Sequence, residues 1–175
     1  MPLDTPLPGS LGLTDLEGNA VDPFAAAPPQ GVVLIFVSTE CPMSNQVLPE
    51  IMGLADAFAP HGTTFWLVHV DRSEPLDRLR RHSKEYQVRC GVLRDVNREI
   101  VRRSQVKVTP EAAVFSAKGQ LIYHGRINDR FSALGKGRPE ASRHDLQEVL
   151  ASVVGGQSLR TNYLPAVGCY ITDLP

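Results

Sequence analysis

The chain has 175 residues, a formal net charge of −1 and three cysteines. Its length suits one domain, 1–175, with a sizeable core, and its near-neutral charge gives neither nucleic acid nor an anionic membrane surface an electrostatic hold. No run approaches a transmembrane helix, so membrane insertion is not expected, and an odd count of three cysteines is no disulfide framework and leaves one thiol unpaired in a monomer. Met1-Pro2-Leu3-Asp4 is neither basic nor followed by an apolar core, unlike a secretory leader. The compartment stays open: cytoplasmic if the chain is full length, extracytoplasmic if a leader has been removed.

The Pro-rich residues 1–10 predict an extended arm, and 11–22 a hairpin turned at Glu17-Gly18-Asn19. Residues 25–30 read as a loop. Val32 to Val37 is continuously apolar, which places it centrally in a sheet covered on both faces. The stretch Met43–Phe58 spaces Val47, Ile51, Leu54 or Ala55, and Phe58 as a helical stripe. Pro49 kinks that helix or sits near enough to its start to be tolerated. Thr64–Val70 predicts a second strand. Ser73-Glu74-Pro75 reads as a capped helix start, with Leu76, Leu79 and Tyr86 inward. A short strand at 91–94 follows, then a brief helix through Arg103 capped by Asp95 or Asn97. Residues 112–116 and 120–124 predict a hairpin, 130–142 a loop, and 144–154 a last helix stopped by Gly155-Gly156. The segment 157–175 is a tail with little periodicity. Strands alternating with helices imply an α/β sheet with covered faces.

Cys41 lies between the buried strand and the amphipathic helix, at the helix N-terminus. Unpaired backbone N–H groups and the positive end of the helix dipole favour a thiolate there. A thiolate is a nucleophile and a metal ligand; a neutral buried thiol is neither. Glu40, next door, opposes this by raising the thiol pKa. Cys90, before a short strand, reads as structural.

Cys41-Pro42-Met43-Ser44, Pro49 eight residues after Cys41, and Val108-Thr109-Pro110 before an apolar strand together resemble the thioredoxin-like redoxins, the AhpC/TSA-like proteins among them. Leu11–Val21 and Lys118–Arg126 resemble the N-terminal and last hairpins of those proteins. The resemblance implies a thioredoxin-like α/β fold: a central mixed sheet flanked by helices, with an N-terminal hairpin extension and an irregular C-terminal tail. It implies that Thr109-Pro110 is a cis peptide beside the thiol, leaving backbone groups for an extended substrate. Ser44 stands where a dithiol motif has its second cysteine, so the local Cys-x-x-Ser site is monothiol. Any internal disulfide must then use Cys90 or Cys169. Cys169, in the apolar patch Ala166–Ile171, reads equally as a resolving cysteine or second thiolate ligand brought back to Cys41, and as a buried docking point for the tail.

The catalytic candidates are therefore Cys41, Ser44, Thr109, Pro110 and Cys169, acting in thiol–disulfide exchange. No organic cofactor and no metal is called for. The partners would be a disulfide-containing protein or a small thiol or peroxide substrate, with an external thiol reductant. A peroxidase is the alternative enzyme. Ser38, three residues before Cys41, fits it; Leu34 departs from the proline expected seven residues before; and Arg126 or Arg130 would have to cover the thiolate. A non-catalytic module is the other alternative, either a partner-docking scaffold or a copper carrier using Cys41, Cys169 and His124. Glu111, after Pro110, can face the site or start a solvated strand.

Overall fold

The computed structural model describes residues 11–25 and 28–172. The arm expected over 1–10 lies outside them.

The apolar run becomes strand β2 (Gly31–Val37), buried along its whole length. Side chains alternate across a strand, so Val33, Ile35 and Val37 enter one core layer while Val32, Leu34 and Phe36 enter the other. On the first face lie helix α1 (Pro42–Phe58), with Val47, Leu48, Ile51 and Met52, and helix α4 (Asp145–Val154), with Leu146, Val149 and Leu150. On the second face lie Leu11 and Leu13, Ile100 and Val101 of the short helix α3 (Glu99–Arg103), and Ile171 from the tail. Pro49 sits inside α1 without ending it.

Parallel to β2 runs β3 (Thr63–His69), and parallel to β3 runs β4 (Gly91–Asp95). On the other side β6 (Glu111–Phe115) pairs antiparallel with β2, and β7 (Leu121–Gly125) antiparallel with β6. The predicted N-terminal hairpin closes on a single bridge, Thr14 to Ala20, with its turn held by the Asp15 carboxylate; its outgoing strand β1 (Leu13–Thr14) pairs with β4. The result is the expected mixed α/β sheet of thioredoxin-like fold, in the order β1-β4-β3-β2-β6-β7.

Three local readings need correction, and the choice between Asp95 and Asn97 as the cap of the brief helix is decided. Ser73 does not cap helix α2 (Leu76–Glu85): it bonds Asp71, and Pro75 is the N-cap. The inward face of α2 includes His82 as well as Leu79. Asp95 takes the capping role at α3, accepting from the N–H groups of Glu99 and Val101. The predicted 130–142 loop holds a small hairpin, β8 (Phe131–Ala133) with β9 (Lys136–Gly137).

The tail is irregular over most of its length but is pinned twice. Strand β10 (Tyr163–Leu164) extends the main sheet beside β7. Gly125 permits this, because a Cβ there would stand 2.0 Å from Leu164 O. Strand β11 (Cys169–Tyr170) pairs antiparallel with β5 (Val108–Thr109) as a separate two-stranded sheet.

Candidate active site

Where β2 ends, the chain turns through Ser38–Glu40 and enters α1 with Cys41 as N-cap and Pro42 in the first turn. Cys41 N–H donates to Ser38 O across 3.2 Å, closing the turn. The turn is braced from behind. The Asn45 amide donates to Thr39 O at 3.0 Å, and Asn45 Oδ1 accepts from His82 Nε2 at 2.7 Å. The Thr39 hydroxyl donates to the buried Glu74 carboxylate. Glu40 faces solvent and pairs with Arg78 at 3.0 Å. Its charge is therefore compensated, and its expected upward push on the thiol is offset.

Cys41 is buried, and its Sγ lies 2.6 Å from Cys169 Sγ and 3.2 Å from Thr109 O. Both cysteines are free thiols. Burial works against a Cys41 thiolate. Donation from the Cys169 thiol, from the Ser44 hydroxyl and backbone N–H, and from the Thr109 side chain outweighs it, so the Cys41 pKa falls below that of an ordinary thiol. Ser44 is fully buried and its hydroxyl has no hydrogen-bond partner, so nothing else claims its proton when Cys41 ionises. Cys169 moves the other way: burial, then its donation to Cys41 and the charge there, push its thiol up to about 12. Of the two thiols, Cys41 is therefore the easier to ionise and Cys169 the one that keeps its proton longer. Cys90 stays apart, half-buried against the α1 face, and burial pushes it up to about 11.

Thr109 is buried and lies opposite Cys169 in the β5–β11 ladder, and the Thr109–Pro110 bond is cis. The structure thus gathers Cys41, Ser44, Thr109 and Cys169, with Pro110 next in chain. Glu111 neither faces the thiol nor meets solvent. It is buried, and its Oε2 accepts from Lys107 and Val108 N–H at 2.8 and 3.2 Å, shaping the segment that leads to Thr109. His124 lies 3.6 Å from Glu111 Oε1 and stacks on Tyr163. Among the described residues no group of three or more His, Cys, Asp or Glu can hold a metal ion, so Cys41, Cys169 and His124 do not form the copper set.

The arginines expected over the thiolate are engaged elsewhere. Arg126 forks onto the buried Asp145 at 2.7 and 3.3 Å. Arg130 donates to Arg138 O and lies over the Phe131 ring. The bracing set of Asn45, Glu74 and His82 was not found from sequence. His82 alone carried a signal, three positions after the inward Leu79.

The AhpC/TSA family model matches residues 6–124. The chain belongs to the AhpC/TSA family. No curated protein matches it. Among solved structures, this redoxin is similar to an uncharacterized conserved protein from Geobacillus kaustophilus, at 21% identity and a TM-score of 0.81, over 99% of this chain and 93% of that one. It is similar to a hypothetical protein from Sinorhizobium meliloti, at 21% identity and 0.79, over 91% and 88%. A secreted Mycobacterium tuberculosis disulfide oxidoreductase shares the fold at 20% identity and 0.56, over 82% of this redoxin and 92% of its own chain.

Proposed function

We propose that this redoxin is a thiol–disulfide oxidoreductase in which Cys41 attacks and Cys169 resolves. The observation that carries the reading is the 2.6 Å approach of the two sulfurs; the lowered pKa of Cys41 and the raised pKa of Cys169 support Cys41 as the attacking sulfur. The fold shared with a disulfide oxidoreductase is consistent with it.

The Cys41 thiolate attacks one sulfur of a substrate disulfide. A Cys41–substrate bond forms, and the other half departs as a thiolate. That step removes the negative charge facing Cys169, and with it part of what holds the Cys169 proton. Cys169 then gives its proton to the departing thiolate and attacks Cys41 Sγ; the Cys41–substrate bond breaks and the second substrate sulfur leaves as a thiolate, which takes its proton from solvent. The substrate disulfide is reduced by two electrons and the Cys41–Cys169 pair is oxidised by two. An external thiol reductant restores the pair. Ser44 donates to the Cys41 thiolate rather than supplying a sulfur, so the monothiol Cys-x-x-Ser motif gains its second thiol from the tail.

The test is disulfide exchange with a dithiol reductant. Cys41→Ser is expected to abolish turnover. Cys169→Ser is expected to keep the first attack and accumulate a mixed disulfide on Cys41, visible by mass spectrometry. Unchanged turnover in Cys41→Ser would overturn the reading.

A further inference from the structure

We propose that the cleft between β5, β7 and the tail binds a guanidinium group, carried by an arginine side chain of a protein partner or by a free small molecule. Glu111 and His124 form its floor, and Tyr163 and Tyr170 its rim. The site is separate from the thiol pair and does not depend on the exchange reading above.

Alternation along β6 puts Glu111 on the same sheet face as Ala113 and Phe115, the face that α3 helps to cover. His124 stands opposite Ala113 in the β6–β7 ladder and so shares that face. Part of the face opens into a cleft of about 570 Å3, lined also by Gln105 and Lys107 ahead of β5 and by Tyr163 and Tyr170 of the tail. That volume suits a long side chain or a small molecule.

The floor holds acceptors that lack donors. Glu111 is 3% exposed, and its Oε2 is engaged by the Lys107 and Val108 N–H groups. Its Oε1 accepts no hydrogen bond. Among the described residues its one ion-pair partner is His124, whose Nδ1 stands 3.6 Å away, beyond hydrogen-bond distance. That nitrogen is itself buried with no hydrogen-bond partner. Leaving a buried carboxylate oxygen and a ring nitrogen unbonded is costly, and donors entering from the cleft remove the cost. Lys107 is exposed and makes no ion pair with Glu111, so the chain's own nearby cation does not fill the place.

The same floor sorts ligands by charge. It repels an anion, and no third His, Cys, Asp or Glu joins the pair to complete a metal site. A cation bearing N–H donors fits. The rim then sorts cations by shape. The Tyr163 ring lies 4.6 Å from that of His124, tilted by 32°, and Tyr163 is 46% and Tyr170 77% exposed. Both leave aromatic surface in water for a cation to cover. A guanidinium offers a fork of donors to the floor and a flat face to the tyrosines, whereas an ammonium offers donors alone. Tyr170 directly follows Cys169 in β11, so a partner that docks an arginine here lies against the strand carrying the second sulfur.

The experiment titrates the full, reduced, 15N-labelled chain with N-acetylarginine amide and follows the backbone amide shifts of His124, Tyr163 and Tyr170 by NMR. A ligand of this size is expected to saturate these shifts with a Kd of about 1 mM. N-acetylcitrulline amide, which keeps the shape and lacks the charge, is expected to bind at least about tenfold more weakly, and the corresponding glutamate amide not at all. Tyr170→Ala alters an exposed ring and is expected to weaken arginine binding about threefold. Lys107→Gln removes a like charge from the cleft and is expected to strengthen it about twofold. Glu111→Gln, which keeps an acceptor for the Lys107 and Val108 amides, is expected to erase the preference for arginine over citrulline. Free arginine binding as tightly as the amide would support the site and name a small molecule as its source; weaker binding would support it and name a side chain. Equal binding of the arginine and citrulline amides to the unaltered chain, shifts that miss these three residues, or glutamate binding that Lys107→Gln abolishes would overturn the proposal.

Discussion

His69 ends β3 directly behind the Cys41 turn, level with Val37 of β2. It is buried, neither ring nitrogen has a hydrogen-bond partner, and its ring meets His82 edge-on at 5.5 Å. Burial first, and the neighbouring His82 second, lower its pKa to about 3, against about 6.5 in the unfolded chain. Below pH 6.5 the unfolded chain therefore takes up a proton that the folded chain refuses. The stability contributed by the neutral ring is full above the unfolded value and is lost as pH falls from about 6.5 towards 3. Between pH 7.5 and 4.5 the loss is two pH units at 1.36 kcal/mol each, about 2.7 kcal/mol. That figure depends only on the unfolded value while the folded ring stays neutral. His69→Leu removes the titration and two unpaired ring nitrogens together, so stability at pH 7.5 is expected to hold or rise. Urea unfolding followed by the fluorescence of Trp66, the single tryptophan, at both pH values gives the comparison. The wild-type chain should lose about 2.7 kcal/mol more than His69→Leu between them. Every other titrating group, including His82 and Glu74 beside it, is common to both chains and cancels. Equal pH dependence in the two would refute an unpaired, neutral His69.

Replacing Cys169 by alanine removes the strongest donor to the Cys41 thiolate. The pH profile of Cys41 alkylation by iodoacetamide is expected to move to higher pH, and an unmoved profile would show that Ser44 and Thr109 suffice. Arg126→Gln leaves the buried Asp145 with only Arg143, at 3.5 Å; because Arg126 is itself partly exposed, a loss of about 2–3 kcal/mol in urea unfolding is expected, at or below the usual range for breaking a buried pair. The rate of Cys41 with hydrogen peroxide should stay the same in that variant, and a tenfold fall would return this arginine to the thiol and revive the peroxidase alternative. Asn45→Ala cuts two of the three bonds that brace the Cys41 turn and leaves that of Thr39 to Glu74. It is expected to cost about 1–3 kcal/mol and to slow the reaction of Cys41 with Ellman's reagent; an unchanged rate would make the brace irrelevant to the thiol.

The legible parts of the molecule were those written in local periodicity. The unbroken apolar run of β2 and the stripe of α1 place a thiol at the helix N-terminus whatever lies elsewhere in the chain. The illegible parts are contacts between distant, short pieces. Strands of two residues such as β5, β10 and β11 have no period to read. Their pairing depends on Gly125 and Gly168 admitting backbone where a Cβ would collide, and a glycine in sequence does not say what it admits. Charged residues were misread for the same reason. Glu111 and Arg126 looked like site residues because they flank Pro110 and follow the last hairpin. Their partners, the Lys107–Val108 amides and Asp145, are set by tertiary packing. Ser73 resembled a cap, but the nearer acceptor, Asp71, took its N–H and hydroxyl.

The separation of the two thiols shows how far sequence distance can mislead. Along a bare chain, closing a loop of 128 positions rather than the three of a Cys-x-x-Cys motif costs about 3 kcal/mol more, since the entropy grows as the logarithm of length. The folded chain does not face that difference. Helix α4 ends at Val154, and β10 pins Leu164 to Gly125 of the main sheet. From that anchor only 165–168 separate the sheet from Cys169, a span close to a local motif's own. Burying Ile171 contributes about 1.5–3 kcal/mol, and each ladder hydrogen bond adds about 1, enough to hold so short a connection against the site. A serine at 44 therefore need not mean a missing thiol. It leaves a hydroxyl beside Cys41, and the second sulfur arrives on strand β11, paired to the segment that carries Thr109.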